Sequence, residues 1–257
     1  MHYWVPESRT DIGRAAIEAA HELWLRASYL QPELRERTRD FKVIKRISAC
    51  VDDLRWTVGV LAPLHEELYA LDTERHDLGV ANDAEGFRAW FHAKQPRHEA
   101  LSGQVVAQFK AMLFFGRALQ DAIYTALLLM GRQTASRASM SDCMKNERSR
   151  VRRAIERDLP GYGAWFDGMK RLRNDVKFGA EVGGSFRSRG GGPEFGFMLT
   201  HFREGQPVTT IRPGVVLVLD DVVALLQWSS RLLEFARTFG PDLIHARLPL
   251  DDSASNG

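Results

Sequence analysis

The chain has 257 residues, with 35 basic against 33 acidic side chains and a net charge of +2. A hydrophobic share of 44% and a charged share of 26% belong to a soluble globular protein. That balance excludes a polyanion-binding surface spread over the whole molecule, so any nucleic-acid site must be a local patch. The length allows one large domain or two small ones. Two cysteines, Cys50 and Cys143, are too few for a disulfide framework and lack zinc spacing, which points to reduced thiols and a cytoplasmic location. Glu7, Arg9, Asp11 and Arg14 leave no apolar signal core near the start.

Helices dominate the pattern. Thr10 or Asp11 caps a first helix with Ala16, Ala20, Leu23 and Ala27 on one face, and Pro32 is expected to follow its end. A second helix starts between residues 33 and 39. Ile44, Ile47, Val51, Leu54, Val58 and Leu61 recur in it at three- and four-residue steps. Pro63 should kink or break it, because proline lacks the amide hydrogen and crowds the preceding turn. The polar stretch Asp72 to Glu85 reads as a connection. A short amphipathic piece, Phe87 to Lys94, ends at Pro96.

The third long helix, roughly Arg97 to Gly131, is apolar nearly all round and therefore central in a bundle. Lys110, Arg117 and Asp121 interrupt its most apolar part, so it is expected to be buried in protein rather than to span a membrane. A loop at 133–139 leads to a basic helix from about Ser141 to Arg157. Pro160-Gly161 ends that helix, and a further one runs from Tyr162 to Phe178 with Gly179 as its stop. Glycine pairs and triplets at 183–184 and 190–192 frame a loop. Phe195 to Phe202 and Val208 to Leu219 read as the two strands of a hairpin. Asp220 or Asp221 caps a final helix, Val222 to Phe239, closed by Gly240-Pro241. The expected fold is mainly α: a bundle of about six helices with a small β-hairpin before the last. Residues 1–75 form N-terminal helices that pack on the core or extend it as a partner-binding arm. Residues 76–240 form the bundle, and 241–257 a disordered tail.

The run Arg173-Asn174-Asp175-Val176-Lys177-Phe178 carries the most chemistry. At about 100° per residue, Trp165, Met169, Leu172 and Val176 share one sector, while Lys170, Arg173 and Lys177 lie together on the adjoining face. An arginine on that shoulder can offer its planar fork to a phosphate while its stem packs on apolar neighbours. The run resembles the Arg-Asn-x-x-Lys-His signature of the HEPN superfamily, small helical bundles of which many bind or cut RNA. The resemblance implies a dimer in which two motifs meet. It gives Arg173 the role of phosphate clamp, Asn174 that of orienting group and Lys177 that of electrostatic support, with no metal and no cofactor. The family histidine, which moves protons during cleavage by the ribose 2′-hydroxyl, is replaced by Phe178. A phenyl ring cannot titrate, and His201 is the next histidine along the chain.

From Ser141 to Phe178 there are ten basic and six acidic residues, a local net of +4. Arg150, Arg153 and Arg157 share a face there, either as phosphate contacts or as a solvated helix side. Tyr162, Trp165 and Phe166 offer rings for stacking on bases, although the last two also fit the core. Arg117, Asp121 and Tyr124 lie at helical spacing on the central helix. Arg117 and Asp121 can pair, which supports the site wall or anchors Arg173. His65-Glu66-Glu67 lacks the second histidine of a zinc motif, His92 and His98 flank Pro96 on what read as separate segments, and no metal is expected. Two functions remain open. One is an RNA-directed protein of a toxin or defence system, reduced from a ribonuclease to an RNA binder. The other is a non-catalytic helical dimerisation or protein-interaction module.

Overall fold

The computed structural model of the chain describes residues 11–38, 40–130, 139–177, 181–189, 192–203, 206–211 and 218–245, with side chains described for 13–38, 40–130, 139–174, 176 and 221–239. Seven helices are present among them: α1 (Asp11–Thr38), α2 (Phe41–Val80), α3 (Ala84–Met130), α4 (Met140–Lys145), α5 (Arg150–Asp158), α6 (Tyr162–Lys177) and α7 (Val218–His245). The mainly helical architecture agrees with the sequence pattern. Between α6 and α7 the backbone follows three antiparallel strands, β1 (Glu181–Arg189), β2 (Gly192–Arg203) and β3 (Gln206–Ile211), in the order β1-β2-β3. Glu181 stands opposite Thr200, and His201 opposite Val208. This differs from the two strands expected there. The expected stop at Gly179 lies outside the described residues. The last helix is longer than expected at both ends: α7 begins before Asp220 and Asp221 and runs through Gly240-Pro241 to His245, so the expected tail starts inside a helix and only residues 246–257 of it lie outside the described residues.

The helices are longer and fewer-jointed than their sequences promised. Pro32, Pro63 and Pro96 do not end helices; they sit inside α1, α2 and α3. Each of these prolines is on a solvent-exposed face. The carbonyl one turn back, which loses its amide partner, can therefore turn to water, while the buried stripe on the opposite face holds the helix through. In α2 that stripe continues from Leu54 and Leu61 across Pro63 to His65, Leu68 and Asp72. The Asp72–Glu85 stretch is accordingly not a connection: all but its short turn is helix. Asn82, in the left-handed region at φ 52°, and Asp83, whose Oδ1 accepts the Gly86 amide at 2.8 Å, make the turn into α3.

The expected single basic helix is also corrected, into α4 and α5. The Asn146 side chain accepts the Arg148 amide at 3.0 Å, and the buried Ser149 hydroxyl caps the start of α5 by accepting the Arg152 amide. Both polar groups offer the backbone a turn in place of continued helix. α3 runs through the middle of the bundle. Val105, Phe109, Met112, Leu119, Ile123 and Leu127 are all buried, and α2, α6 and α7 pack around it. α1 lies on α2 and α7, and its buried residues belong to the same core cluster. Among the described residues α3 is the one helix long and apolar enough to cross a membrane, yet 61% of its most apolar window is buried within the protein. That is the burial of a core helix.

Candidate functional site

α6 turns Met169 and Leu172 inward, and their burial fixes the rotation of the motif. Arg173 then falls on the edge of the helix that faces α3. Its Cζ lies 5.5 Å from the ring centroid of Phe114 on α3, and one guanidinium nitrogen donates to the Asn174 Oδ1 at 3.1 Å. Phe114 is 41% exposed although its helix is otherwise buried over most of this stretch. The Arg173 Nε is buried without a hydrogen-bond partner among the described residues. Lys170, one turn earlier on α6, reaches Asp167 at 3.7 Å. The side chains of Lys177 and His201 lie outside the described residues, as does Phe178.

Beside Arg173 stands an ion pair on the central helix. Arg117 Nη2 lies 3.0 Å from Asp121 Oδ1 as an ion pair, and its guanidinium lies 4.8 Å from the Phe166 ring centroid. Arg117 is only 8% exposed. Burial holds its pKa below the usual arginine value; Asp121 opposes that effect and the nearby Arg173 adds to it. Asp121 also accepts the Met140 amide at 2.8 Å, which ties α4 to α3. The Asp121 carboxylate thus serves Arg117 and α4. Tyr124 is half-buried on the same helix, near the buried Cys143, whose thiol lies 3.7 Å from the Ser149 hydroxyl. Burial raises that thiol to about 11, so it is held as a neutral group.

Tyr162 cannot stack on a base. Its residue is 0% exposed, enclosed by Phe166 and Trp228, with ring centroids 5.8 Å away in each case. Phe166 is also fully buried, and Trp165 stacks on Trp228 of α7. On α5, Arg150, Arg153 and Arg157 are exposed. Arg157 is paired with Asp158 at 2.5 Å, and Arg153 donates to the Arg148 carbonyl at 3.4 Å. The open positive charge of this helix is therefore carried chiefly by Arg150 and Arg153.

Two features were not found by sequence reasoning. Phe114 is one, because in a helix apolar nearly all round the periodicity does not say which ring is left open. The other joins α2 to α3 far from Arg173. His98 Nε2 lies 3.0 Å from Asp72 Oδ1, which Arg75 also approaches at 3.2 Å, and Trp90 meets His98 edge-on. His92 and His98 do share a helix, contrary to expectation, since α3 runs through Pro96. Among the described residues no group of three or more histidine, cysteine, aspartate or glutamate side chains is placed to hold a metal. Comparison of the chain with protein-family models, curated proteins and solved structures gives no match.

Proposed function

We propose that this protein is a HEPN-like, RNA-directed helical protein that binds RNA phosphate through Arg173, as a degenerate ribonuclease of a bacterial toxin or defence system. The observation that carries the reading is the setting of Arg173. Its guanidinium is held at the edge of the motif helix against an exposed ring of the central helix, with Lys170 one turn away. The packing of α6 on α3 supports it, because the motif of such a fold must lean on its core helix. In this reading the ribbon between α6 and α7 completes the bundle, the protein is a cytoplasmic homodimer, and the exposed arginines of α5 extend the phosphate track. Phe178 supplies no proton-transfer group, so binding outlasts cleavage.

Labelled RNA incubated with purified protein in excess EDTA tests this, beside Arg173→Ala and Arg173→Lys. The expected outcome is retention of intact RNA by the wild type and a loss of about tenfold in affinity for Arg173→Ala, the scale of a charge-assisted hydrogen bond. Cleavage by the wild type that Arg173→Ala abolishes would make the protein an active, metal-independent endoribonuclease. Absence of RNA retention would favour a second reading, a dimerisation or protein-interaction module. That alternative draws on Tyr29 of α1 and Trp56 of α2, each 77% exposed.

A further inference from the structure

We infer that Phe114 and Arg173 together form a stacking platform that selects single-stranded over double-stranded RNA, an inference that rests on the reading of Arg173 as a phosphate-binding residue. Phe114 is a large ring left open on the central helix, between buried Leu113 and buried Gly116 and Arg117. A phenyl ring in that position loses the stabilisation that burial gives its neighbours, and the helix around it is otherwise filled. What the position gains is a flat apolar face next to a cation. The Arg173 guanidinium lies over the ring at 5.5 Å, a cation–π arrangement that holds both groups in place before any ligand arrives.

An unpaired nucleobase matches this geometry. Its π-face can lie on the open part of the ring while its own phosphate meets Arg173. Single-stranded RNA is bound in this way, by rings that stack on splayed bases beside cations that follow the backbone. A duplex keeps its base faces against one another and offers the ring nothing. Lys110 lies four residues before Phe114, on the same side of α3, half-exposed. It adds a second positive charge one helical turn from the ring. Because every base has a π-face, the platform discriminates strandedness more than sequence.

The test uses fluorescence anisotropy on the full chain with three ligands: a labelled single-stranded RNA, the same strand annealed to its complement, and the same strand with one abasic position scanned along it. Wild type, Phe114→Ala, Phe114→Tyr and Arg173→Ala are compared, with far-UV circular dichroism and urea midpoints confirming that each is folded. The expected result is single-strand binding about tenfold tighter than duplex binding. Phe114→Ala should lose about that factor on the single strand and nothing on the duplex, and Phe114→Tyr should keep it. The abasic strand should bind less tightly to the wild type and equally to Phe114→Ala. If Arg173→Ala weakens RNA binding but Phe114→Ala does not, the platform is refuted while the phosphate role stands. If the wild type binds no RNA, both fall. If Phe114→Ala changes only the sedimentation behaviour, the ring is a protein interface and the proposal is overturned.

Discussion

Arg117 and Asp121 place a charged pair inside a largely apolar helix. Taking such groups out of water costs several kcal/mol for each ion, and their mutual attraction offsets that only while both remain. Removing one partner should therefore be worse than removing both. Asp121→Ala leaves the buried Arg117 without its carboxylate and the Met140 amide without an acceptor, and should cost about 3–5 kcal/mol. Arg117→Met alone leaves Asp121 at the bundle wall, still accepting from α4, and should cost less. The double variant should recover most of the loss, short of about 1 kcal/mol for the unmet amide. Urea denaturation of the four proteins measures this coupling; additive losses would show that the two residues act independently. The pair itself was legible in the sequence, because a four-residue step on a helix fixes neighbours. Its bond to Met140 was not, since that contact crosses a loop and 19 positions of chain.

Elements were legible where a buried stripe defined them and misread where local propensity argued against the stripe. Ile44 to Leu61 gave α2 its register, and Met169 with Leu172 gave α6 its rotation. The three prolines suggested ends that do not exist, because an exposed proline weakens a helix without overcoming two flanking buried faces. Ser149 and Asn146 did the reverse and ended a helix that periodicity would have continued. A close approach between α3 and α7 was invisible in the sequence. At Gly116 a Cβ would lie 2.5 Å from Leu225 Cδ1 and 2.9 Å from its Cγ, so α3 and α7 meet where one of them has no side chain. Gly116→Ala gains helix propensity of about 1 kcal/mol but forces Leu225 and α7 to move, an overpacking cost of about 1–3 kcal/mol. The net outcome expected is a lowered urea midpoint. Leu225→Ala in the same background should restore part of the alanine's propensity gain. Gly103→Ala on the same helix, where a Cβ meets nothing within 4 Å, should raise the midpoint instead. A Gly116→Ala protein as stable as Gly103→Ala would mean that α7 gives way freely.

Across the whole molecule, charge buried at the far end of the α2–α3 hairpin sets the response to pH. Asp72 is 1% exposed, and burial pushes its carboxyl up to about 7, against the pull of Arg75. Its Oδ2 has no hydrogen-bond partner among the described residues, while Oδ1 meets His98 and Arg75. A carboxyl whose folded pKa lies above its unfolded value contributes stability that is fully present below about pH 4 and is lost as pH rises through 7, at about 1.4 kcal/mol for each pH unit separating the two values. The histidines run the other way. Burial lowers His65 to about 4, and burial with Arg75 lowers His98. Their contribution is present above the unfolded value near 6.5 and is lost as pH falls. Within the same window the two effects oppose each other, so the wild type should show a shallow dependence of stability on pH. Asp72→Asn keeps an oxygen for His98 and Arg75 but removes the charge. The variant should therefore be more stable than the wild type at pH 8 and equal to it at pH 4, and should lose stability on acidification more steeply than the wild type does. Thermal melts of both proteins at half-unit steps from pH 4 to 8 read this directly. An Asp72→Asn protein that melts lower at pH 8 would mean that the Arg75 ion pair outweighs the cost of burying the carboxylate, and that the hairpin is held by charge rather than in spite of it.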